Sequence, residues 1–384
     1  MHLTKEEEKI LQGERGTGQA KAMELLVALG RIYDADRLIP IESAQIAGVS
    51  FKTMGDAGLS FIQDFSEIAE VKVRSLLNPA GMDIQEKNYE SDRFRKKQLK
   101  LIDAYRKMGV EISCTCTPYL AGNRPGLGDH LAWSESSAVS FANSVLGART
   151  NREGGPSALM SAVIGKTPNY GLHLEKNRSP DVIYEVKEDV PLSLLGYLVG
   201  EEVENEVPYF TGIKPDEDEM KSLGAAMAAT GSVAMYHVDG VTPEAKKFKV
   251  SELDKRKVDL EDIKEIREKI MEDIEPDVIA IGCPHLSKKE LERLASKLKD
   301  KEKRDGPDLL VFTSRKVKED SKDIVEEIEK FGKVVCDTCM VVSPLEEKYD
   351  SVGTDSGKAV SYLPKLAGQK AIYADIDSLV ELIS

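Results

Sequence analysis

The sequence predicts an α/β protein with mainly parallel sheets, layered α/β/α and folded into more than one lobe. Three observations carry that reading. Short apolar runs rich in β-branched residues, such as VKVRSLL, DVIAIG, DLLVFTS and AIYADI, alternate with longer stretches of helical period. The runs are nearly continuous in apolar character, as strands covered by helices on both faces must be. The chain, at 384 residues, is too long for one small core and suits two or three packed lobes.

Taken in order, residues 4–33 read as two helices, with Thr4 as the N-cap before KEEE. GERGTGQA between them is no dinucleotide fingerprint, because its spacing differs and no strand precedes it; it reads as a helix connection. RLIPIE is extended, SAQIAGVS reads as a loop, and a helix follows from about Asp56. VKVRSLL is a strand ending in the turn NPAGMD. Residues 91–108 form a basic amphipathic helix that leads into the strand end VEISC. SSAVSFANSVLG and SALMSAVIG are small-residue helices able to pack closely. The pattern weakens at EVPYFTGIKPDEDE. A boundary is expected there, between an N-terminal lobe over 1–205 and a C-terminal lobe over 206–384. GSVAMYHV resumes the pattern, and the charged stretch 251–272 reads as a solvated helix with Glu and Lys at helical spacings. DVIAIGC, a helix over 287–299, DLLVFTS, a helix over 316–331, KVVC and AIYADI complete the alternation.

Composition excludes several functions. The chain carries 53 basic and 67 acidic residues, a net charge of −14, so nucleic acid is not an expected partner. No apolar stretch approaches the roughly 18 residues of a membrane helix. The opening MHLTKEEEKIL is charged and helical, unlike a signal peptide, which makes a cytoplasmic location the expectation.

The chemistry concentrates in five cysteines at three places: Cys114 and Cys116 in VEISCTCTPYL, Cys283 in DVIAIGCPHLS, and Cys336 and Cys339 in KVVCDTCMVVSP. Each group follows a short apolar run, where an open parallel sheet binds its ligands. An odd count without a secretory signal argues against a disulfide framework. Structural zinc usually takes two paired-ligand knuckles, and only one CxxC is present. Three separate contributions suit an iron–sulfur cluster with one open, Lewis-acidic iron. Buried inert thiols, zinc and a redox pair remain alternatives on spacing alone. His285 is either a hydrogen-bond donor behind the thiols or an ordinary residue at a helix start.

Three strand-end loops add polar groups. Gly48, Val49 and Ser50 in IAGVS offer close backbone approach and an anion nest. Asn78 stands beside the rigid Pro79, and TDSGK supplies Ser356, Gly357 and Lys358, a set suited to carboxylate or phosphate. Glu135 precedes a helix that starts with Ser136 and Ser137, and Arg149 at its end can clamp a carboxylate. Each also reads singly as a plain turn or a helix-end charge.

Together the segments IAGVSFKTMGDAG, LLNPAGMD, TCTPYL, SESSAVSFANSVLGARTNREGGPSA, IGCPHLS, DTCMVVSP and TDSGKAVSYLP, spread over nearly the whole chain, resemble the large catalytic subunits of the aconitase X family. The resemblance implies an aconitase-like α/β/α architecture and a hydro-lyase with a [4Fe–4S] cluster held by Cys116, Cys283 and Cys339, with Cys114 and Cys336 as neighbouring thiols that could take the place of Cys116 and Cys339. In the archaeal branch it implies dehydration of (R)-5-phosphomevalonate, a small phosphorylated hydroxy acid, to trans-anhydromevalonate 5-phosphate. Bacterial members dehydrate cis-3-hydroxy-L-proline. A non-catalytic, metal-stabilised scaffold is the reading from a different class. The family carries a small swivelling domain, either fused or on a separate subunit. The chain ends after AIYADIDSLVELIS without one, so a small partner subunit that brings the base is expected.

Overall fold

The computed structural model describes residues 1–204, 206–271 and 274–384. The first part contains α1 (Lys5–Leu11), α2 (Thr17–Ile32), β1 (Leu38–Pro40), β2 (Ser43–Ile46), α3 (Phe51–Ser66), β3 (Arg74–Leu77), α4 (Asp92–Lys107), β4 (Leu131–Trp133), α5 (Ser136–Phe141), α6 (Gly155–Ile164) and β5 (Lys166–Pro168). Thr4 caps α1 as expected. Its hydroxyl accepts from the Glu7 N–H and the Glu7 carboxylate accepts from the Thr4 N–H, which satisfies two groups a helix start leaves free. The strands β3, β2 and β4 form a parallel sheet in that order, and β1 pairs antiparallel with β5. Ser43–Ile46 is thus the middle strand of a sheet, where the sequence suggests a loop. Its four residues are small or polar except Ile46, but all are buried, and Gln45 donates from Nε2 to the Thr115 carbonyl at 3.1 Å. VEIS is not a strand of this sheet; it meets β3 through a single bridge, Glu111 to Leu76, and the Ser113 hydroxyl, which donates to the Leu77 carbonyl at 3.2 Å. The helix α5 runs on into one π turn, Ala142–Leu146, and stops at left-handed Gly147.

A second parallel sheet has the order β8-β7-β6-β9, from β6 (Val182–Val186), β7 (Pro208–Thr211), β8 (His237–Val238) and β9 (Asp254–Val258). Its helices are α7 (Leu192–Val203), α8 (Glu217–Thr230) and α9 (Leu260–Ile270). The stretch 251–272 is therefore a strand followed by a helix, with residue 272 outside those described. DKRKV is a charged edge strand, and charge on an edge guards against unwanted pairing while hiding the period of two. The expected lobe boundary falls on residue 205, also outside the described residues.

The third sheet comprises β10 (Val278–Leu286), β11 (Asp308–Thr313), β12 (Lys333–Val335), β13 (Ser351–Thr354) and β14 (Lys370–Tyr373). All are parallel, in the order β12-β11-β10-β13-β14. The accompanying helices are α10 (Lys288–Leu298), α11 (Arg315–Glu319), α12 (Lys322–Glu329), α13 (Gly357–Ala367) and α14 (Ile376–Glu381). The expected helix over 316–331 is two, broken at Asp320 and Ser321.

Strand order locates the functional crevice. In the first sheet the chain leaves β2 toward β3 and returns to the other side with β4. In the third it leaves β10 toward β11 and β12 and returns with β13. Such reversals open a crevice beyond the carboxyl ends of the two diverging strands. Cys283 lies at the end of β10 and the TDSGK loop follows β13; Ala47 follows β2, and Ser134 and Glu135 follow β4. The two crevices open onto the same cavity.

Candidate active site

That cavity encloses about 360 Å³, and its wall includes Cys116, Cys283, Cys339, Asn78, Glu135, Arg152 and Lys358. A wider surface cleft of about 650 Å³ runs along Lys187–Leu192 and Gly212–Pro215, but no thiol lines it.

Each thiol comes from a different segment. Cys116 follows the irregular stretch that runs beside β3, with the Thr115 N–H donating to the Leu77 carbonyl at 3.0 Å. Cys283 sits where β10 bulges, its register with β11 shifting between Ile281 and Leu286. Gly282 just before it has φ 108°, and a Cβ there would lie 2.2 Å from the Phe312 carbonyl oxygen, so only glycine fits. Cys339 follows β12, facing the Val341 and Val342 N–H groups. Burial pushes all three thiols up, Cys283 to about 12, against the pull of Lys358. Cys114 and Cys336 are fully buried and do not line the cavity.

The polar wall is a network centred on Glu135. Asn78 Nδ2 donates to Glu135 Oε2 at 2.7 Å; Lys358 and the Ser136 and Ser137 hydroxyls address Oε1. Burial would raise this carboxyl, but Lys358 and Asn78 overcome it and hold it at about 2, so it is ionised. Burial pulls Lys358 down less than Glu135, Cys283 and Cys116 hold it up, so its ammonium stays charged. Asn78 Oδ1 is buried with no partner among the described residues, an acceptor left for something in the cavity. Arg152 donates to the Tyr362 hydroxyl at 3.1 Å and the Ala228 carbonyl at 3.4 Å, and has no carboxylate partner among the described residues.

Most of the remaining residues singled out in the sequence lie around the cavity rather than in its wall. Ser50 caps α3 and donates to the Val342 carbonyl at 2.8 Å; the buried Val49 carbonyl accepts from Gln98; Gly48 makes the turn at φ 74°. Ser356 caps α13 and donates to the Cys283 carbonyl, and the Gly357 N–H is taken by Ser193 at 2.7 Å. Pro79 and Ser136 do line the cavity. Arg149 points away, paired with Glu175 and donating to the His173 carbonyl at 3.0 Å. The helix ends at Gly147, earlier than the sequence suggests, and that swings Arg149 outward and brings Arg152 to the cavity. Arg152 was legible only as the second cation of ARTNREGG.

The donor set fits an iron–sulfur cluster. Three thiols face a cavity rather than a point, and among the described residues no three or more His, Cys, Asp or Glu side chains gather closely enough for one metal ion. A cluster, unlike a single ion, spans several ångströms between its thiolates. Metal coordination also supplies what deprotonates thiols that burial has pushed up.

Nearly the whole chain matches models of one family in three pieces: the aconitase X first domain over 1–176, the second over 180–268 and the third over 276–383. Each piece holds one of the three parallel sheets. The chain is 50% identical over 392 residues to the phosphomevalonate dehydratase large subunit of Methanosarcina mazei, covering 99% of this chain and 96% of that one. It is also 50% identical to that of Thermococcus kodakarensis, over 99% of both. Identity to the cis-3-hydroxy-L-proline dehydratase of Pseudomonas aeruginosa is 31%, over 98% of this chain and 68% of that protein. The crystal structure of Thermococcus kodakaraensis aconitase X in its holo-form has a TM-score of 0.94 and 49% identity, with full coverage of both chains.

Proposed function

The chain belongs to the aconitase X family, and on that premise we propose that it is the large subunit of a hydro-lyase that dehydrates (R)-5-phosphomevalonate to trans-anhydromevalonate 5-phosphate, with a [4Fe–4S] cluster and a small swivelling partner subunit. This is a step of a modified mevalonate route to isoprenoids. The observation that carries the reading is the convergence of three thiols, an ionised carboxylate, a charged lysine and a free arginine on one cavity. Relatives of half identity are named for phosphomevalonate and those near 31% for cis-3-hydroxy-L-proline, which favours the phosphorylated substrate. A non-catalytic scaffold would need neither the free arginine nor the ordered carboxylate network.

Cys116, Cys283 and Cys339 are the thiolates that would hold the cluster. When bound, such a cluster supplies an open iron, a Lewis acid for a hydroxyl leaving group. The reaction removes a proton from the carbon beside the carboxylate and hydroxide from the next carbon. Arg152 offers free N–H groups to an anionic end of the substrate, and Asn78 Oδ1 accepts from a donor within the cavity. Glu135, held near 2, is too weak a base for a carbon acid. Its role is to keep the Asn78 amide oriented and the Lys358 ammonium oriented and charged around the reacting atoms. The general base is assigned to the partner subunit, as the resemblance to the family implies.

The test is anaerobic reconstitution of the chain with its small partner, followed by iron and sulfide analysis and a dehydration assay. About four irons and four sulfides per chain, with turnover of (R)-5-phosphomevalonate, is the expected result. Cys116→Ser, Cys283→Ser and Cys339→Ser should each lose iron, whereas Cys114→Ser and Cys336→Ser should keep it. Turnover of cis-3-hydroxy-L-proline alone would overturn the substrate assignment, and zinc without sulfide would overturn the mechanism.

A further inference from the structure

His285 touches all three thiol-bearing segments. Its ring is fully buried on the bulge of β10, two residues beyond Cys283. Nδ1 lies 2.9 Å from the hydroxyl of Thr115, the neighbour of Cys116. Nε2 lies 2.7 Å from the carbonyl of Thr338, the neighbour of Cys339. The His285 backbone N–H donates to Cys116 Sγ at 3.2 Å. On the opposite side, Lys221 holds the His285 carbonyl at 3.1 Å.

The polarity of this chain of hydrogen bonds follows from its ends. A carbonyl only accepts, so Nε2 carries the proton and donates to Thr338. In the neutral ring Nδ1 is then the acceptor, and the Thr115 hydroxyl donates to it. The Thr115 oxygen in turn accepts from the Thr117 N–H at 3.1 Å and lies 3.1 Å from the Thr117 hydroxyl. Every polar atom of the imidazole is used, and each is used by a different thiol segment. Among the described residues no other side-chain hydrogen bond joins two of those segments.

We propose that His285 is a positioning residue that ties the Cys116, Cys283 and Cys339 segments into one register and so sets how firmly the three thiols retain a cluster. The proposal rests on those thiols being the cluster ligands. Its mechanism is geometric: without the tie, the irregular segment at Thr115 and the loop at Thr338 are free to move independently of the bulge, and three thiols that drift apart hold a rigid group less well. Outer partners of ligands commonly act this way, and losing one typically costs about 10–100-fold in metal affinity. The N–H on Cys116 Sγ adds an electronic effect, because hydrogen bonds to cluster sulfurs shift the reduction potential.

The experiment uses the complex of the full chain with its small partner and compares wild type with His285→Ala, His285→Gln and Thr115→Val. Thr115→Val removes only the hydroxyl that donates to Nδ1 and keeps the side-chain shape, so it serves if His285→Ala fails to fold. Iron loss on exposure to air is followed by absorbance, and the reduced cluster by electron paramagnetic resonance. Thiol labelling rates are measured on the metal-free complex. In His285→Ala we expect iron loss about tenfold faster or more, altered resonance g-values and faster labelling of Cys116. Thr115→Val should shift in the same direction by less, and His285→Gln, which can still donate to the Thr338 carbonyl, should recover part. Variants that fold yet match wild type in iron loss, g-values and labelling would overturn the tie. Failure of wild type to take up iron and sulfide would instead overturn the cluster reading, and the labelling rates on metal-free protein would still decide the tie.

Discussion

Arg152 and Arg149 stand three residues apart and do different work. Arg149 pairs its charge with Glu175, while among the described residues Arg152 donates only to neutral acceptors, Tyr362 and Ala228, at the cavity wall. Arg152→Gln should therefore raise KM for phosphomevalonate by about 10–100-fold, the loss of one charge-assisted contact of about 1.5–3 kcal/mol. Arg149→Gln should leave KM unchanged; equal effects in steady-state assays would contradict the distinction. A second prediction concerns Glu135 and Lys358. The folded Glu135 carboxyl, near 2, lies below its ordinary value of 4.5. A depressed carboxyl stabilises the fold fully above the ordinary value and loses that contribution as pH falls through the folded one. Urea midpoints of the wild type should thus fall between those values. Lys358→Met should flatten that acid limb and cost about 3–5 kcal/mol at neutral pH, by stranding a buried charge. The residues that are readable from the sequence, such as Asn78, Glu135 and Lys358, sit just after strands or at the start of the helix that follows one, where position and residue type coincide. Arg149 and Arg152 were not separable, because the choice depends on where a π turn ends the helix, and that is set by Asn143 bonding the backbone of Thr150.

At the scale of elements, the same contrast holds. The long apolar strand β10 and helices with clear caps, such as α1, α4 and α10, follow from local pattern. β2 and β4 do not. They have four and three residues, and they are strands because of what covers them rather than because of their own propensity. β9 hides behind its charges at the sheet edge. The bulge in β10 is the element whose failure would be most informative. Gly282→Ala should cost roughly 1–3 kcal/mol from backbone conformation alone, and more from the clash with Phe312. Because the displaced residue is the neighbour of Cys283, the variant should also retain less iron at temperatures where it is still folded. Melting curves and iron content together check this; a destabilised variant with full iron retention would separate the bulge from the thiol.

At the scale of the molecule, the second and third sheets share one continuous apolar core, whereas the helices around the first sheet close their own. Near the cavity the first part therefore meets the third largely through polar ties. Ser50 bonds the Val342 carbonyl, Lys52 pairs with Glu346 at 2.7 Å, and Arg315 bridges Asp83 and Asp337 at 2.6 Å each. The Arg315 bridge is the most buried of these. Asp83 comes from the loop after β3, Asp337 from the loop that carries Cys339, and the Cys336 N–H also donates to Asp83 at 3.1 Å. Removing one member of a buried ion cluster costs about 3–5 kcal/mol, because the remaining charges stay buried without compensation. In Arg315→Met the two carboxylates would not suffer equally. Asp83 keeps backbone donors from Gln85 and Glu86 at 2.9 Å as well as from Cys336, while among the described residues Asp337 keeps only the Ile84 N–H at 3.4 Å. Asp337→Asn on that background should therefore restore part of the lost stability, and Asp83→Asn should restore less. Chemical denaturation of the two double variants decides it. Equal recovery would mean that Arg315 acts mainly by packing, and no loss in the single variant would mean that the apolar contacts between the parts carry the seam without it.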